Sequence, residues 1–365
     1  MLYLLRPALP SDLDALLELS SHLDSANLPH DREVLQARLS ASWAAFQQGP
    51  SLEATSRFIF VAEQRGSGAI DGCAMVTTPL GTLEAPYVYF SQDDVDAYSP
   101  VLKRRLVYPT LTLRASRQGP AELGGLVVKP EARGRGLAQA FAALRLTWMA
   151  HHAEQMPAEV VAELAPKLDD KGSNALWEAI GAQLTGLPYR DADRLSKRDK
   201  SFIVDLFPRT PIPGFLLNAA ALECLGARGA STEGAYRVVT GQGLRIVPRV
   251  DPFDGGPHYL ALLSETLAYR EKRPEPAPGV QVGRVLVALA TKPASTLCGP
   301  TEAAVPSSDS AHATPAGGAG VWGLHQTPRS SVDRNLVEDA LKAGNALFSS
   351  ISYTYVTSPL RPLDA

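Results

Sequence analysis

The segment of residues 123–138, which reads LGGLVVKPEARGRGLA, constrains the fold of this chain more than any other. It places a short apolar run before a proline and then a glycine-rich, arginine-bearing loop. The run Leu126, Val127 and Val128 is apolar and largely β-branched, which predicts a buried strand. Pro130 has no N–H to donate to a ladder, so we expect the strand to end before it. The order therefore predicts a strand, a turn and a helix in close succession.

The helix after this strand is predicted to begin near Arg133. The first N–H groups of a helix have no intrahelical partner and carry partial positive charge, so they favour an anion such as a pyrophosphate. Gly134 and Gly136 let the backbone approach that anion, and Ala138 leaves room for close packing. Arg135 adds charge beside Arg133. Apolar residues then follow at helical spacing, namely Leu137, Phe141, Leu144 and Trp148. A flexible basic turn is the alternative, because a lone glycine-rich pattern is a weak signal.

Length and composition restrict the classes of protein to which the chain can belong. Its 365 residues fit two domains, and 45% apolar residues suffice for packed cores. The net charge is −3 with both signs dispersed, which predicts small-molecule partners and no nucleic acid. Cys73, Cys224 and Cys298 are few and far apart, so we predict neither a disulfide framework nor a metal site. Without an export signal or a membrane-length apolar stretch, the prediction is a cytoplasmic protein with no membrane partner.

Hydrophobic periodicity predicts an α/β fold, with a mixed twisted sheet and flanking helices. In residues 1–200, the first predicted unit, the strands fall at residues 2–7, 57–63, 72–77, 87–90, 126–128 and 158–164. One helix is predicted to start from Ser11 as its N-cap, and a second to cover residues 31–47. A third is predicted over residues 173–181, with Ser173 as its N-cap.

The rest of the chain predicts three further parts. Residues 201–292 form a second unit, with a strand at 202–207, helices at 215–225 and 234–240, and a strand at 244–250. Residues 293–331 are rich in Ala, Gly, Pro, Ser and Thr, which predicts a flexible insertion whose Cys298 and His312 are too isolated for a metal site. Residues 332–365 predict a helix and a strand that pack back on the body.

Several segments together resemble one family of enzymes. Residues 123–138 are similar to the acyl-CoA-binding core of the GNAT superfamily of N-acetyltransferases. More specifically, the chain resembles the bacterial arginine N-succinyltransferases over most of residues 1–260, about seven tenths of its length. The segments that carry this resemblance are NLP followed by REVLQARL (within 27–39), VVAEL (160–164), LWEAIG (176–181), DADRLS (191–196), FIVDLFPRTPI (202–212) and FDGGP (253–257).

The resemblance implies two tandem GNAT-like units that transfer a succinyl group to the α-amine of arginine or, in some members, ornithine. Succinyl-CoA is the implied co-substrate, with no permanently bound cofactor. Leu126 is implied to contact succinyl-CoA, and the main chain around Val127 and Val128 to pair with the pantetheine arm. The pyrophosphate is implied to lie on the backbone of Arg133, Gly134, Arg135, Gly136, Leu137 and Ala138. A homodimer or a two-subunit assembly is also expected.

Two departures from the family bear on the chemistry. The family is credited with a histidine proton donor in a segment of the type V-H-P-Q-T, and Gly229 stands at the histidine position here. His258, just after FDGGP, is an alternative source of an imidazole, although an exposed loop histidine is the commoner meaning of such a residue. Before NLP the family has a GGLTSLP-like segment, whereas this chain reads SHLDSANLP, which leaves the acceptor amine open.

Glu163, at the end of a predicted strand, is the candidate base or amine-binding carboxylate, and a salt-bridge residue is the alternative. Ser173 is a candidate polar donor that a helix cap explains equally well. Tyr236 is a weaker candidate acid. The leading hypothesis is an arginine N-succinyltransferase; an acyltransferase with another acyl-CoA or amine, and a catalytically silent CoA-binding partner subunit, remain as alternatives.

Overall fold

The computed structural model describes residues 2–270 apart from 24, 65, 83–85 and 198, together with residues 287–290 and 321–324. The predicted C-terminal helix and strand in residues 332–365 lie outside the described residues. Within the predicted insertion, residues 293–331, the described part is one strand, Val321–Leu324. The flexibility of the remainder therefore stays a prediction.

Strands and helices alternate irregularly along the described chain. The strands are β1 (Leu2–Pro7), β2 (Ser56–Gln64), β3 (Ile70–Thr78), β4 (Tyr87–Ser99), β5 (Arg104–Ser116), β6 (Ala121–Val128), β7 (Glu159–Glu163), β8 (Ile212–Pro213), β9 (Arg245–Val250), β10 (Pro257–Leu262), β11 (Val287–Ala290) and β12 (Val321–Leu324). The α-helices are α1 (Leu13–Ser20), α2 (Arg32–Gln48), α3 (Leu137–His151), α4 (Ala175–Ala179), α5 (Gly181–Thr185), α6 (Tyr189–Ser196), α7 (Ser201–Leu206), α8 (Ala219–Cys224), α9 (Glu233–Gly241) and α10 (Leu267–Arg270).

The described strands form one twelve-stranded sheet in the order β12-β11-β1-β2-β3-β6-β7-β10-β9-β4-β5-β8. The pairing of β6 with β7 is parallel, whereas the other described pairings are antiparallel. The predicted mixed sheet with flanking helices is therefore confirmed. Strands β10 and β9 lie between β7 and β4, so strands of both predicted units share this sheet. The relation of the two units as diverged repeats stays a prediction.

Helices cover both faces of the sheet. On one face α3 buries Phe141 and Trp148, and the Trp148 ring lies 4.4 Å from the ring of Phe58 on β2. On the other face α1 and α2 bury Leu16 and Leu35 against β2 and β3. A separate cluster of large side chains packs between the short helices and strands β4, β5 and β9: Trp177, Tyr189, Phe207, Phe253 and Phe90. Burial of such side chains is the main stabilising contribution in each cluster.

The prediction of a strand at residues 202–207 is wrong, because these residues form helix α7 and its C-terminal end. Ile203 and Phe207, four residues apart, are 0% and 3% exposed, which is the spacing of one helical turn. A short apolar run has the same appearance in a buried strand and in a buried helix segment. Periodicity therefore could not decide this element.

Strand β4 is longer than predicted, and its partner β5 was not predicted. The two pair from Tyr87 opposite Ser116 to Ser99 opposite Arg104. The outer half of this hairpin is exposed and carries many charged residues. With no buried face there, the sequence lacks the apolar and polar alternation that marks a strand.

The predicted helix ends agree with the structure in some places and differ in others. Asp31 caps α2, where its side chain accepts hydrogen bonds from the N–H groups of Glu33 and Val34. Ser11 does not cap α1, because it lies in a 3₁₀ turn and Asp12 occupies the N-cap position. The predicted helix at residues 215–225 is reduced to α8. The predicted helix at 234–240 and strand at 244–250 are confirmed as α9 and β9.

Candidate functional site

The parallel strands β6 and β7 pair over only part of their length. Paired positions are Ala121 with Val160 and Glu122 with Val161, although β6 continues to Val128 and β7 to Glu163. The backbone of β6 beyond Glu122 is therefore released from the ladder on this edge. This opening between two strands is the place where a ligand can meet main-chain groups of a sheet.

A β-bulge lies in β6 beside this opening. From Gly124 to Val127, β6 advances by three residues, whereas the paired stretch of β3 advances by two. Gly125, within this stretch, adopts φ +57°. Leu123 belongs to the core under α3, whereas Val127, four residues later, belongs to the core under α1 and α2. In a regular strand these two residues would share a face, so the bulge reverses the facing of the strand end.

Arg145, on α3, holds the bulge. Its guanidinium is 1% exposed and donates to the carbonyl of Met75 (2.9 Å) and to that of Gly124 (3.0 Å). Burial lowers the pKa of Arg145 to about 10. A buried carbonyl without a hydrogen-bond donor is costly, so the two bonds from Arg145 stabilise the bulge from the side of α3.

The three residues predicted to contact the pantetheine arm can offer it their main chain but not their side chains. Leu126 and Val128 pack against the core under α3, and Val127 is 5% exposed. Their side chains therefore serve the cores. The main-chain edge of this strand end is the part available to a ligand.

The glycine loop turns through two residues with positive φ. Gly134 and Gly136 adopt φ +74° and +80°, a region that side chains with a Cβ rarely occupy. A Cβ built at Gly134 would meet nothing within 4 Å, so its surface is open. Helix α3 begins at Leu137, four residues later than predicted, with Gly136 as N-cap and its first bond from Ala140 N to Gly136 O. The N–H groups of the first turn of α3, before Ala140, therefore have no intrahelical acceptor.

The two loop arginines have different surroundings. Arg133 is exposed, and its Nε donates to the carbonyl of Val128 (3.3 Å). Arg135 donates from Nη1 to the hydroxyl of Tyr3 (2.9 Å), which in turn donates to Asp71 (2.6 Å). Arg133 is thus the loop cation that faces solvent, while Arg135 ties the loop to β1 and β3. Leu137 is buried and Ala138 is half-buried at the start of α3.

Glu163 lies at the end of β7, opposite His258 of β10 in the strand register. Its Oε1 is 3.5 Å from His258 Nε2, and its side chain keeps 29% exposure. Burial raises the pKa of Glu163 to about 8, and the charge of Asp251 adds to this effect. A carboxylate with a pKa near neutrality that still reaches solvent has the properties of a general base.

His258 is fully buried, which corrects the interpretation of an exposed loop histidine. Its Nδ1 lies 2.9 Å from the hydroxyl of Tyr87, and the two rings stack with centroids 6.0 Å apart. Burial lowers the pKa of His258 to about 4, so the imidazole is neutral at neutral pH. Burial also raises the pKa of Tyr87, which keeps its hydroxyl protonated. If Tyr87 donates to Nδ1, the proton of the neutral imidazole lies on Nε2 and faces Glu163. Nε2 has no hydrogen-bond partner among the described residues, so its 3.5 Å approach to Glu163 is a close contact rather than a hydrogen bond.

The FDGGP loop brings further charge near Glu163. Lys200 Nζ pairs with Asp251 Oδ2 at 3.1 Å, and the charge of Asp251 raises the pKa of Lys200. Asp254 accepts a hydrogen bond from the N–H of Gly256, and burial raises the pKa of Asp254 to about 8. Three carboxyl groups thus act on one another across this part of the sheet, with one lysine among them.

Gly229, which the sequence resemblance matches with the family's histidine, has no room for a side chain in this backbone. Its N–H donates to the carbonyl of Ala165 (2.8 Å), and a Cβ would lie 2.7 Å from the carbonyl of Pro166. The loop therefore packs directly on the chain that follows Glu163. The imidazole of the site comes instead from His258 on β10.

Ser173 and Tyr236 have local structural contacts. Ser173 Oγ donates to Glu178 (2.9 Å), and Asn174 rather than Ser173 caps α4, so the predicted cap is wrong by one residue. The Tyr236 ring lies 4.0 Å from the Arg228 guanidinium and contacts Tyr259 edge-on. These contacts do not join either residue to Glu163.

Sequence reasoning missed the pairing of His258 with Glu163, the buried position of Tyr87, and the roles of Lys200 and Asp251. The signal that could have found the pair is the apolar run HYLAL after FDGGP, which has the composition of a strand.

Among the described residues, no helix combines the length and the apolar character that crossing a bilayer demands.

Comparisons with known proteins agree on one family. The family model described as "Arginine N-succinyltransferase beta subunit" matches residues 3–268. The chain is 28% identical over 272 residues to the arginine N-succinyltransferase of Escherichia coli O17:K52:H18, covering 74% of this chain and 78% of that protein. It is 27% identical over 284 residues to that of Citrobacter koseri, covering 75% and 82%.

A solved structure supports the same relationship. The structure of arginine/ornithine succinyltransferase subunit AI from Pseudomonas aeruginosa superposes with a TM-score of 0.67 at 26% identity, covering 79% of this chain and 85% of that chain. The residues that the family model matches, 3–268, contain the strand opening, the glycine loop and the strand that ends at Glu163. On these grounds the chain belongs to the arginine N-succinyltransferase family.

Proposed function

We propose that this protein transfers the succinyl group of succinyl-CoA to the α-amine of arginine, or of ornithine, in arginine catabolism. Family membership supports the reaction class. The observation that carries the proposal is Glu163, a carboxylate with a raised pKa at the end of β7, where pairing with β6 has ended. It lies where an amine could meet a thioester held on β6.

The proposed donor site is made of main chain. The released edge of β6 at Leu126, Val127 and Val128 would pair with the amide groups of the pantetheine arm. The first turn of α3, with Gly134, Gly136, Leu137 and Ala138, would hold the pyrophosphate on N–H groups and the positive end of the helix dipole. Arg133 and Arg135 would add positive charge. The exposure of Arg133 supports a direct contact, whereas the bond of Arg135 to Tyr3 supports a positioning role.

The proposed reaction needs one proton transfer. The neutral α-amine attacks the thioester carbonyl, a C–N bond forms, and the C–S bond breaks. Glu163 accepts the proton that the amine loses, and the CoA thiolate leaves with the bonding electrons. Because a carboxylate pKa of about 8 is near the working pH, Glu163 is a suitable base. Backbone N–H groups freed by the bulge would stabilise the oxyanion, as preorganised donors do.

His258 and Tyr87 are proposed to position Glu163 rather than to exchange protons themselves. A neutral imidazole with its Nε2–H toward Glu163 stabilises the carboxylate without competing for its proton. Ser173 stays a predicted polar donor that no described contact connects with this centre.

A substrate panel tests the proposal. CoA release is measured with succinyl-CoA and acetyl-CoA against arginine, ornithine, other amino acids and polyamines. Turnover with succinyl-CoA and arginine or ornithine supports the proposal. Turnover only with another pair favours an acyltransferase of different specificity, and CoA binding without turnover of any pair favours a silent partner subunit.

A homodimer or two-subunit assembly and a cytoplasmic location stay predictions.

A further inference from the structure

A row of polar side chains crosses the sheet on the face that α1 and α2 cover. Arg57 of β2 pairs in register with Thr77 of β3, Thr77 with Glu122 of β6, and Glu122 with Val161 of β7. Residues opposite one another in a sheet share a face. Glu163 follows Val161 by two positions, so it lies on the same face, about 7 Å further along the strand.

Arg57 is a cation with unfilled hydrogen-bonding capacity in this row. Its Nε is buried and has no hydrogen-bond partner among the described residues, and the same is true of the neighbouring Thr77 Oγ1. Burial lowers the pKa of Arg57. An unsatisfied buried donor on a charged group is costly, so such a group calls for an acceptor.

Arg38 on α2 brings a second guanidinium to the same place. Its Nη1 donates to the carbonyls of Ala26 (2.5 Å) and Asn27 (3.0 Å), which are neutral acceptors. Burial and, to a smaller extent, the charge of Arg57 together lower the pKa of Arg38 to about 10. Both residues are half-buried, so part of each side chain is open to solvent.

The described charges around this pair do not balance. Glu122 acts on Arg57 through its charge, but its Oε1 already accepts from Asn27 Nδ2 at 2.9 Å. The charge of Glu122 also acts on Arg145, so this one carboxylate does not balance the positive charge of the two guanidiniums. Asn27 and Glu122 also close over Gly124, where a Cβ would lie 2.5 Å from Asn27 Nδ2. The group therefore adjoins the β6 bulge from the side opposite to α3.

We propose that Arg38 and Arg57 form a subsite for a carboxylate of the substrates. This inference rests on the proposed function, in which two carboxylates are present. One is the free carboxylate of the succinyl group, and the other is the α-carboxylate of the acceptor amino acid. Either would supply the missing negative charge and the acceptor for Arg57, beside the bulge that holds the thioester and within one short strand segment of Glu163.

The test compares matched substrates in Arg57→Gln and Arg38→Gln. Butyryl-CoA has the length of succinyl-CoA without its carboxylate, and agmatine is arginine without its carboxylate. Hydrogen bonds to charged groups contribute about 1.5–3 kcal/mol, which corresponds to a rise of roughly 10- to 150-fold in KM. We expect that rise for succinyl-CoA but not butyryl-CoA if the acyl carboxylate binds, or for arginine but not agmatine if the acceptor carboxylate binds.

Arg32→Gln is the matched control, because Arg32 lies on the same helix, is exposed and pairs with Asp14. It should leave both KM values unchanged. Arg57→Lys keeps the charge and should recover part of the lost affinity. Because Arg57 has a buried donor without a partner, Arg57→Gln should melt no lower than the wild-type protein, so a loss of binding will not come from unfolding.

Equal KM changes for each acid and its neutral analogue, or no change at all, would overturn the subsite. Calorimetric binding of succinyl-CoA and of arginine separates this result from a failure of the proposed function. If no transfer occurs but Arg57→Gln weakens binding of one carboxylate ligand at least tenfold, the subsite stands without the function. If transfer proceeds equally in the wild type and both variants, the function stands without the subsite.

Discussion

The two halves of the candidate site are built in different ways. The donor half, from Leu126 to Ala138, is a continuous segment whose function depends on main-chain groups, on two glycines with positive φ and on a helix start. The acceptor half joins Glu163, Lys200, Asp251 and His258, which come from separate parts of the chain. Local backbone geometry determines the first half, and burial of charge determines the second.

This difference predicts how each half responds to change. Substitutions in the donor half should alter acyl-CoA affinity through strain and lost charge, with effects limited to a few kcal/mol. Substitutions in the acceptor half should alter the rate of the chemical step and its pH dependence, because they change a proton acceptor. The following predictions run from the largest expected effect to the smallest.

Glu163→Gln should lower kcat by roughly 10² to 10⁴-fold, the usual contribution of a general base. The amide keeps the size of the side chain but cannot accept the proton. Steady-state CoA release measures the effect, and acyl-CoA affinity should stay within about twofold because the donor half is intact. Glu53→Gln, at an exposed acid, is the control. An unchanged kcat in Glu163→Gln would remove Glu163 from the proposed mechanism.

The pH dependence of kcat should report the same carboxyl group. With a pKa of about 8, Glu163 is mostly protonated below that pH, so kcat should rise about tenfold per pH unit on the acid side. The neutral His258, with a pKa of about 4, should add no limb between pH 5 and 7. A limb near pH 6.5 would instead indicate a titrating histidine and contradict this assignment.

The stability of the folded protein should also depend on Glu163, but the contribution of this residue should fall as the pH rises. Folding raises the pKa of Glu163 from 4.5 to about 8, so the folded state binds this proton more tightly than the unfolded state. Its contribution is complete below pH 4.5 and is lost as the pH rises to about 8. Glu163→Gln should therefore raise Tm, relative to the wild type, more at pH 8.5 than at pH 5. Equal Tm differences at both pH values would show that the pKa is not raised.

Gly134→Ala should weaken acyl-CoA binding by about tenfold, because a Cβ at φ +74° costs about 1–2 kcal/mol. There is open space around the position, so the cost is backbone strain alone. Gly234→Ala is the matched control, since Gly234 has equal space but lies within helix α9. That control should leave binding unchanged and raise Tm slightly. Equal acyl-CoA affinity in both variants would contradict the role of the loop conformation.

Arg133→Ala should have the smallest effect, a weakening of acyl-CoA binding by a few-fold, because exposed ion pairs contribute about 0.2–1 kcal/mol. The loss should shrink as salt is added, since screening already weakens the contact in the wild type. Titrations at low and high ionic strength measure it. A large, salt-independent loss would indicate a desolvated contact rather than a solvent-facing one.

The donor half could be predicted from the sequence because its determinants are neighbours in the chain. The apolar run, Pro130, the two glycines and the helical spacing after Leu137 each act within one or two turns of backbone. The same holds for the predicted start of the second helix near residue 31, because Asp31 caps α2 through N–H groups of the next three residues. The prediction erred at the helix start, which lies at Leu137 because Gly134 and Gly136 occupy left-handed conformations before it.

The acceptor half could not be predicted in this way. The register of β7 with β10 places His258 opposite Glu163, although 95 positions separate them in the chain. Gly229, which as a sequence looked like the loss of an imidazole, is fixed by its close approach to Pro166. The tertiary structure supplies a different imidazole and also sets the Glu163 pKa through burial. Neither effect is visible in local sequence.

The sequence by itself determined the strand, glycine loop and helix at residues 123–138 and, through its family segments, the class of protein. Only the tertiary structure decided which side chains come near one another: Glu163 and His258, His258 and Tyr87, Lys200 and Asp251, and, through their charges, Arg38 and Arg57. The physical reason is the distance along the chain over which each effect acts. Backbone conformation and helix capping depend on adjacent residues, whereas desolvation and charge pairing depend on which distant strands the sheet brings side by side.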